Sequence, residues 1–180
     1  MDLSSSVAAR DSSSNGFEYK RPEKKGYIVE KRAEFNAALK EAMKNKDQTA
    51  LSTIRLILAA LKDRDIAART SSNSEGIDNT EILSLLQSMV KQRQESAKIY
   101  CDAGREELAE REEAEIHIIQ GFLPKQLSAE EVSAAIDAVV AEVGAKDIKD
   151  MGKIMGLLKT RYAGQMDMGK TGAIIKQKLG

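Results

Sequence analysis

From Val29 onward apolar residues recur at the spacing of a helix face, and polar residues fill the positions between them. The first such stretch, Glu30 to Lys46, places Phe35, Leu39, Ala42 and Met43 on one side, with Glu and Lys opposite. Asp47 is a good N-cap for a second helix ending near Arg69, whose stripe is Leu51, Ile54, Leu58 and Leu61 with Ile57 beside them. A polar stretch over 70–79 reads as the loop between two antiparallel helices. The longest periodic segment follows, apolar at Ile82, Leu85, Leu86, Met89 and Val90, then more polar, and it breaks at Ala103-Gly104. The next helix, Arg105 to Gln120, is expected to expose Glu106, Glu107, Glu110, Glu112 and Glu113 and to bury Leu108, Ala109, Ile116 and Ile119.

Gly121-Phe122-Leu123-Pro124 stops that helix, because Pro124 drives the residue before it out of the α region. Ser128 and Glu131 then form a capping box that opens a helix with Val132, Ile136, Val139, Val140 and Val143 inside and Gly144 at its end. The tail writes one phrase twice, Asp150-Met151-Gly152-Lys153 and Asp167-Met168-Gly169-Lys170. Each copy reads as a helix start whose aspartate accepts from first-turn N–H groups, and the two helices part at Ala163-Gly164. Gly152, Gly156, Gly169 and Gly172 weaken these helices, which predicts that another helix or a polyanion approaches their backbone, helix-on-helix contact being the plainer reading. No stretch alternates at period two for the length of a strand. The expectation is an all-α chain: a flexible tail over 1–27, a helical bundle of about four helices over 28–122, a linker over 123–127, and a three-helix domain over 128–180.

Composition narrows the function. Formal net charge is zero, but residues 105–142 hold three basic and ten acidic residues, whereas 149–180 hold seven basic (Lys149, Lys153, Lys159, Arg161, Lys170, Lys176 and Lys178) and two acidic. An anionic partner would therefore meet the C-terminal end. The single cysteine, Cys101, rules out a disulfide framework and points to a reducing compartment. No apolar run reaches the roughly 20 residues needed to cross a bilayer, and residues 1–27 lack the apolar core of a secretory signal. Their Ser, Asp and Glu content also argues against a mitochondrial presequence, so the expected location is the cytoplasm.

Catalytic chemistry has little to stand on. Gly164 to Thr171 matches a phosphate-binding loop pattern, but a helix feeds it and few residues follow, so the match is read as chance. His117, the only histidine, lies among isoleucines as a partly buried structural residue would. A pairing of Cys101 with His117 lacks an orienting group, and one His with one Cys cannot make a usual zinc site. The glutamates from Glu106 to Glu115 read as a solvated helix face. No catalytic residue, metal or cofactor is assigned. The basic C-terminus remains: its cations suit backbone phosphates, and with Tyr162 the only aromatic there, shape recognition of folded RNA fits better than base stacking.

Six stretches, Leu51–Lys62, Val90–Ala97, Ala103–Ala109, Glu112–Ile116, Leu123–Leu127 and Met151–Gly156, together resemble the YqeY proteins, over residues 30 to 180. That family is similar to the C-terminal tail of the GatB subunit of the glutamine-dependent aspartyl/glutamyl-tRNA amidotransferase. The resemblance implies an all-helical protein with an N-terminal bundle and a three-helix C-terminal domain. It also implies contact with the body of tRNA, carried over to Gly152, Lys153, Gly169 and Lys170. Together with the charge, this gives the candidate RNA-binding set Lys149, Gly152, Lys153, Lys159, Arg161, Gly169, Lys170 and Lys176. The attached label, carbon–nitrogen ligase with glutamine as amide donor, finds no counterpart here to the catalytic core of GatB or to the Ser-Lys amidase of its partner subunit. The resulting expectation is a tRNA-binding or amidotransferase-associated accessory protein whose partners are tRNA and an amidotransferase or aminoacyl-tRNA synthetase, not a membrane. The alternatives are a scaffold that docks a protein through the acidic helix Arg105 to Gln120 or through the small-residue helices of the tail, and an enzyme acting on ammonia or glutamine through Cys101 or His117.

Overall fold

The computed structural model describes residues 30–69 and 76–179, and its regular elements are helical, with no strand among the described residues. The expected tail over 1–27 and most of the loop over 70–79 lie outside them. In chain order the helices are α1 (Lys31–Asn45), α2 (Gln48–Ala68), α3 (Asn79–Asp102), α4 (Glu106–Gly121), α5 (Ala129–Val143), α6 (Met151–Arg161) and α7 (Met168–Leu179), with a 3-10 turn at Ile148–Asp150.

Local chemistry sets most of the boundaries. Asp47 accepts from the Ala50 N–H at 2.9 Å and so starts α2 directly after Lys46 closes α1 in the left-handed region (φ 55°). Asp78 and Glu81 form a capping box on α3, and Ser128 and Glu131 form the expected one on α5. Between α3 and α4 the chain reverses in three residues, the Arg105 N–H donating to the Tyr100 carbonyl at 2.8 Å. The loop into α7 turns at Gly164 (φ +72°), where a Cβ would stand 3.1 Å from both Leu83 Cβ and Pro124 Cδ, so the site demands glycine for conformation and for space.

The buried apolar side chains fall into two clusters. The larger draws Phe35 from α1, Ile54 and Ile57 from α2, Ile82 and Leu86 from α3 and Ile119 from α4, and it is closed by Phe122, whose ring meets Phe35 edge-on with centroids 5.1 Å apart. The smaller unites Ile136 and Val139 of α5 with Ile154 and Leu158 of α6, Met166, and Ile175 of α7. Val132, Val140 and Val143, expected inside, are only partly buried at its edge. The two are bridged where Gln87 Nε2 of α3 donates to the Met166 carbonyl at 2.9 Å, and the segment leading into α5 is held to the same loop where Gln126 Nε2 donates to the Gly164 carbonyl at 2.6 Å.

Several side chains depart from the helical-face reading. Met43 and Leu108, expected inside, are 57% and 38% exposed. His117, expected to be partly buried, is exposed, while Glu115, expected on a solvated face, is buried. The common reason is how far each helix is covered by its neighbours. In α3 the larger cluster ends at Val90 and in α4 it begins at Ile116, so the far half of the α3–α4 hairpin projects past α1 and α2. At the base of that projection Glu115 accepts from Arg93 at 2.9 Å and lies 3.5 Å from Arg111.

Candidate nucleic-acid interface

Helices α6 and α7 are two copies of one pattern. The repeated phrase extends well beyond its four identical residues: Leu158 and Ile175, in corresponding positions, are both fully buried, and Ile154 matches the buried Thr171. The outward positions correspond as well, Lys153 with Lys170 and Lys159 with Lys176, all four exposed. Even the last basic residue of each copy plays the same part. Arg161 donates to both oxygens of Glu142 at 2.6 and 2.7 Å, and Lys178 reaches Asp137 and, at 3.1 Å, the Ser133 hydroxyl. Both partners lie on α5, so each copy is tied to the same helix by a cation at its C-terminal end.

The two helix starts differ, and this corrects the expectation for Asp150. Asp167 accepts from the Gly169 N–H at 2.7 Å and the Lys170 N–H at 3.1 Å, as an N-cap should. Asp150 makes no such bond, because it closes the 3-10 turn in helical conformation (φ −82°, ψ −5°), where a side chain cannot fold back under the first turn. It lies instead 3.5 Å from Lys153 Nζ, and the preceding turn is capped by Asp147. The start of α7 is therefore not an open anion cradle. A carboxylate already sits on the Gly169 and Lys170 amides, where a phosphate would compete with it.

Among the candidate residues, Lys159, Lys170 and Lys176 are exposed and form no ion pair among the described residues. Lys149 and Lys153 are exposed beside Asp147 and Asp150, at 3.8 and 3.5 Å. Arg161 is the exception, since its guanidinium is engaged by Glu142 and that hydrogen bond holds the Glu142 carboxyl below its ordinary range. Gly152 and Gly156 are exposed, and a Cβ at either would meet nothing within 4 Å, so no helix packs there and the plainer reading of those two glycines fails. It holds at Gly172, where Met151 Cε would lie 3.3 Å and Met155 Cε 3.9 Å from an added Cβ.

The other candidate chemistry is dispersed. Cys101 ends α3 near the hairpin tip, whereas His117 lies near the opposite end of α4, about 15–18 Å along that helix at 1.5 Å per residue. Thr171, which a phosphate-binding loop would turn toward its ligand, is buried and donates to the Asp167 carbonyl at 2.7 Å. No group of three or more His, Cys, Asp or Glu is placed to hold a metal ion among the described residues. The contacts that periodicity did not reveal are polar: Arg93 with Glu115, Arg32 with Asp65, and the Gln87 bridge between the clusters. The available signal was spacing: Glu115 lies three and four residues before Ile118 and Ile119 and so on the face that α4 buries.

Comparison with known proteins agrees with the fold. Residues 32–179 match the model of a family described as Yqey-like protein. The protein named "Altered inheritance of mitochondria protein 41, mitochondrial" of Eremothecium gossypii is 34% identical over 107 residues, which cover 58% of this chain and 56% of that relative. Its namesake in Lachancea thermotolerans is 34% identical over 105 residues, covering 58% and 53%. In Vanderwaltozyma polyspora the figures are 28% over 111 residues, covering 61% and 58%. The chain thus aligns with little more than half the length of these relatives. Their names place them in mitochondria, which overturns the cytoplasmic expectation drawn from Cys101 and from the Ser, Asp and Glu content of residues 1–27.

Proposed function

The chain belongs to the YqeY-like family, and from that premise we propose that it is a non-catalytic RNA-binding protein, accessory to glutamine-dependent tRNA amidotransfer, working in the mitochondrion. In this reading the two clusters are two domains, a bundle of α1–α4 and a three-helix domain of α5–α7, and the second carries the RNA. The observation that carries the proposal is the recurrence of exposed lysines at corresponding positions of α6 and α7, Lys153 with Lys170 and Lys159 with Lys176. Side-chain cations without aromatic platforms suit the phosphates of a folded RNA and make its binding sensitive to salt. Nothing in this reading requires the amide-transfer chemistry to reside in this chain.

The deciding experiment is a titration of labelled tRNA at about 50 and about 200 mM salt. Binding that weakens with salt, and weakens again in the double variant Lys153→Glu/Lys170→Glu, is the expected result. No binding at the lower salt would remove the proposal. For location, a fluorescent fusion of the full chain is expected to coincide with a mitochondrial dye, and a diffuse signal would refute that part.

A further inference from the structure

We propose that the projecting end of the α3–α4 hairpin docks on the outer face of α6 and α7 of a second copy of this chain. The hairpin beyond the Arg93–Glu115 pair has a narrow interior of its own, Ala97 and Ala109, both buried. Outside that seam it shows large apolar side chains to solvent, Ile99 at 65% and Leu108 at 38% exposure. The tight turn over 103–105, in which the Arg105 N–H donates to the Tyr100 carbonyl, puts Ile99 and Leu108 at the same end of the hairpin, and together they make up the apolar ridge of the arm. The exposed charges around it are mainly acidic, Glu95, Asp102, Glu106, Glu107 and Glu110 against Lys98 and Arg105.

The complement of this surface lies on the same chain. Gly152 and Gly156 stand one turn apart on the exposed side of α6, and no atom comes within 4 Å of where their Cβ atoms would be. They leave a bare strip of backbone that an apolar ridge can approach closely. Lys159, Lys170 and Lys176, exposed and free of ion pairs among the described residues, supply charge opposite to that beside the ridge. The second copy is thus favoured as the occupant by charge complementarity on top of shape, and such complementarity steers and orients association. The contact is heterologous, arm to face, so it continues from copy to copy unless it closes in a ring. It draws on the same lysines as the proposed RNA surface, so RNA and a second copy compete there, and removal of RNA by nuclease separates the two readings.

The test is sedimentation velocity of the nuclease-treated full chain at high micromolar concentration, in about 20 and about 500 mM salt. Species larger than the 19.7 kDa monomer are expected at the lower salt and only monomer at the higher. Ile99→Glu, or Leu108→Ser as a second arm variant, and the face variant Lys159→Glu/Lys176→Glu are each expected to be monomeric alone. Mixed, an arm variant and the face variant retain one intact surface each and are expected to form a dimer that grows no further. A monomer at low salt, variants that still associate alone, or a mixture that stays monomeric would each overturn the proposal.

Discussion

Arg32 of α1 grips Asp65 of α2 with both guanidinium nitrogens, Nη1 to Oδ2 at 2.7 Å and Nη2 to Oδ1 at 2.9 Å. The same pair takes hold of the chain entering α3, since Arg32 Nη2 also donates to the Ile77 carbonyl at 2.8 Å and the Ile77 N–H donates to Asp65 at 2.9 Å. The Arg32 hydrogen bond, helped by the Ile77 amide, holds the Asp65 carboxyl below its ordinary range against the opposing effect of burial.

That depression has a pH signature. With the folded value below an unfolded value near 4, the contribution of Asp65 is fully present above about pH 5 and is lost as the pH falls through the folded value. Asp65→Asn is expected to lower stability by about 1–3 kcal/mol at neutral pH and to flatten the acid limb of the stability curve. Urea denaturation from about pH 7 to about pH 3 measures both, and parallel curves for the two proteins would contradict the assignment.

Glu115 is the second polar anchor. Its side chain is 9% exposed and that of Arg93 14%, so Glu115→Ala leaves a largely buried guanidinium without its carboxylate. The expected loss is about 3 kcal/mol, seen as a fall in Tm of roughly 6–12 °C. An unchanged melting curve would show that the hairpin does not depend on this pair.

The bare glycines of α6 give a prediction of opposite sign. Alanine at Gly152 and Gly156 meets no neighbouring atom and relieves the cost of glycine within a helix. Each change is expected to stabilise the fold by up to about 1 kcal/mol, measured by thermal unfolding. The same double variant is expected to weaken self-association, because the new methyl groups fill the strip that the hairpin would approach.

Among the C-terminal cations the structure distinguishes the free from the engaged. Lys159→Glu/Lys176→Glu is expected to weaken tRNA binding and to reduce the salt dependence by about two phosphate contacts, whereas Arg161→Gln changes affinity little because Glu142 already holds that side chain. Equal losses from the two variants would place Arg161 on the RNA after all.

Much of this fold was legible because helix limits are written locally. The Asp47 cap, the Ser128–Glu131 box and the stop before Pro124 each depend on a few adjacent residues and stand where expected. Burial was less legible, since a face of Leu108 and Ile116 looks uniform in sequence while only Ile116 has α1 and α2 within reach. The identical phrases at Asp150 and Asp167 mislead for a related reason. What a capping aspartate can do is settled by the conformation of the residues before it, and only one copy follows a 3-10 turn. At the candidate interface the lysines were found by type and count. That Arg161 is already occupied by Glu142 was beyond the reach of a charge tally.

The loop before α7 is tied down on two sides. Gln87 and Gln126 pin neighbouring carbonyls of the loop before α7, and Gly164 fits between Leu83 and Pro124 with no room for a methyl group. The loop that leads into the lysine-bearing α7 is therefore moored to α3, and a change that loosens Gln87 or crowds Gly164 reaches α7 through its own lead-in.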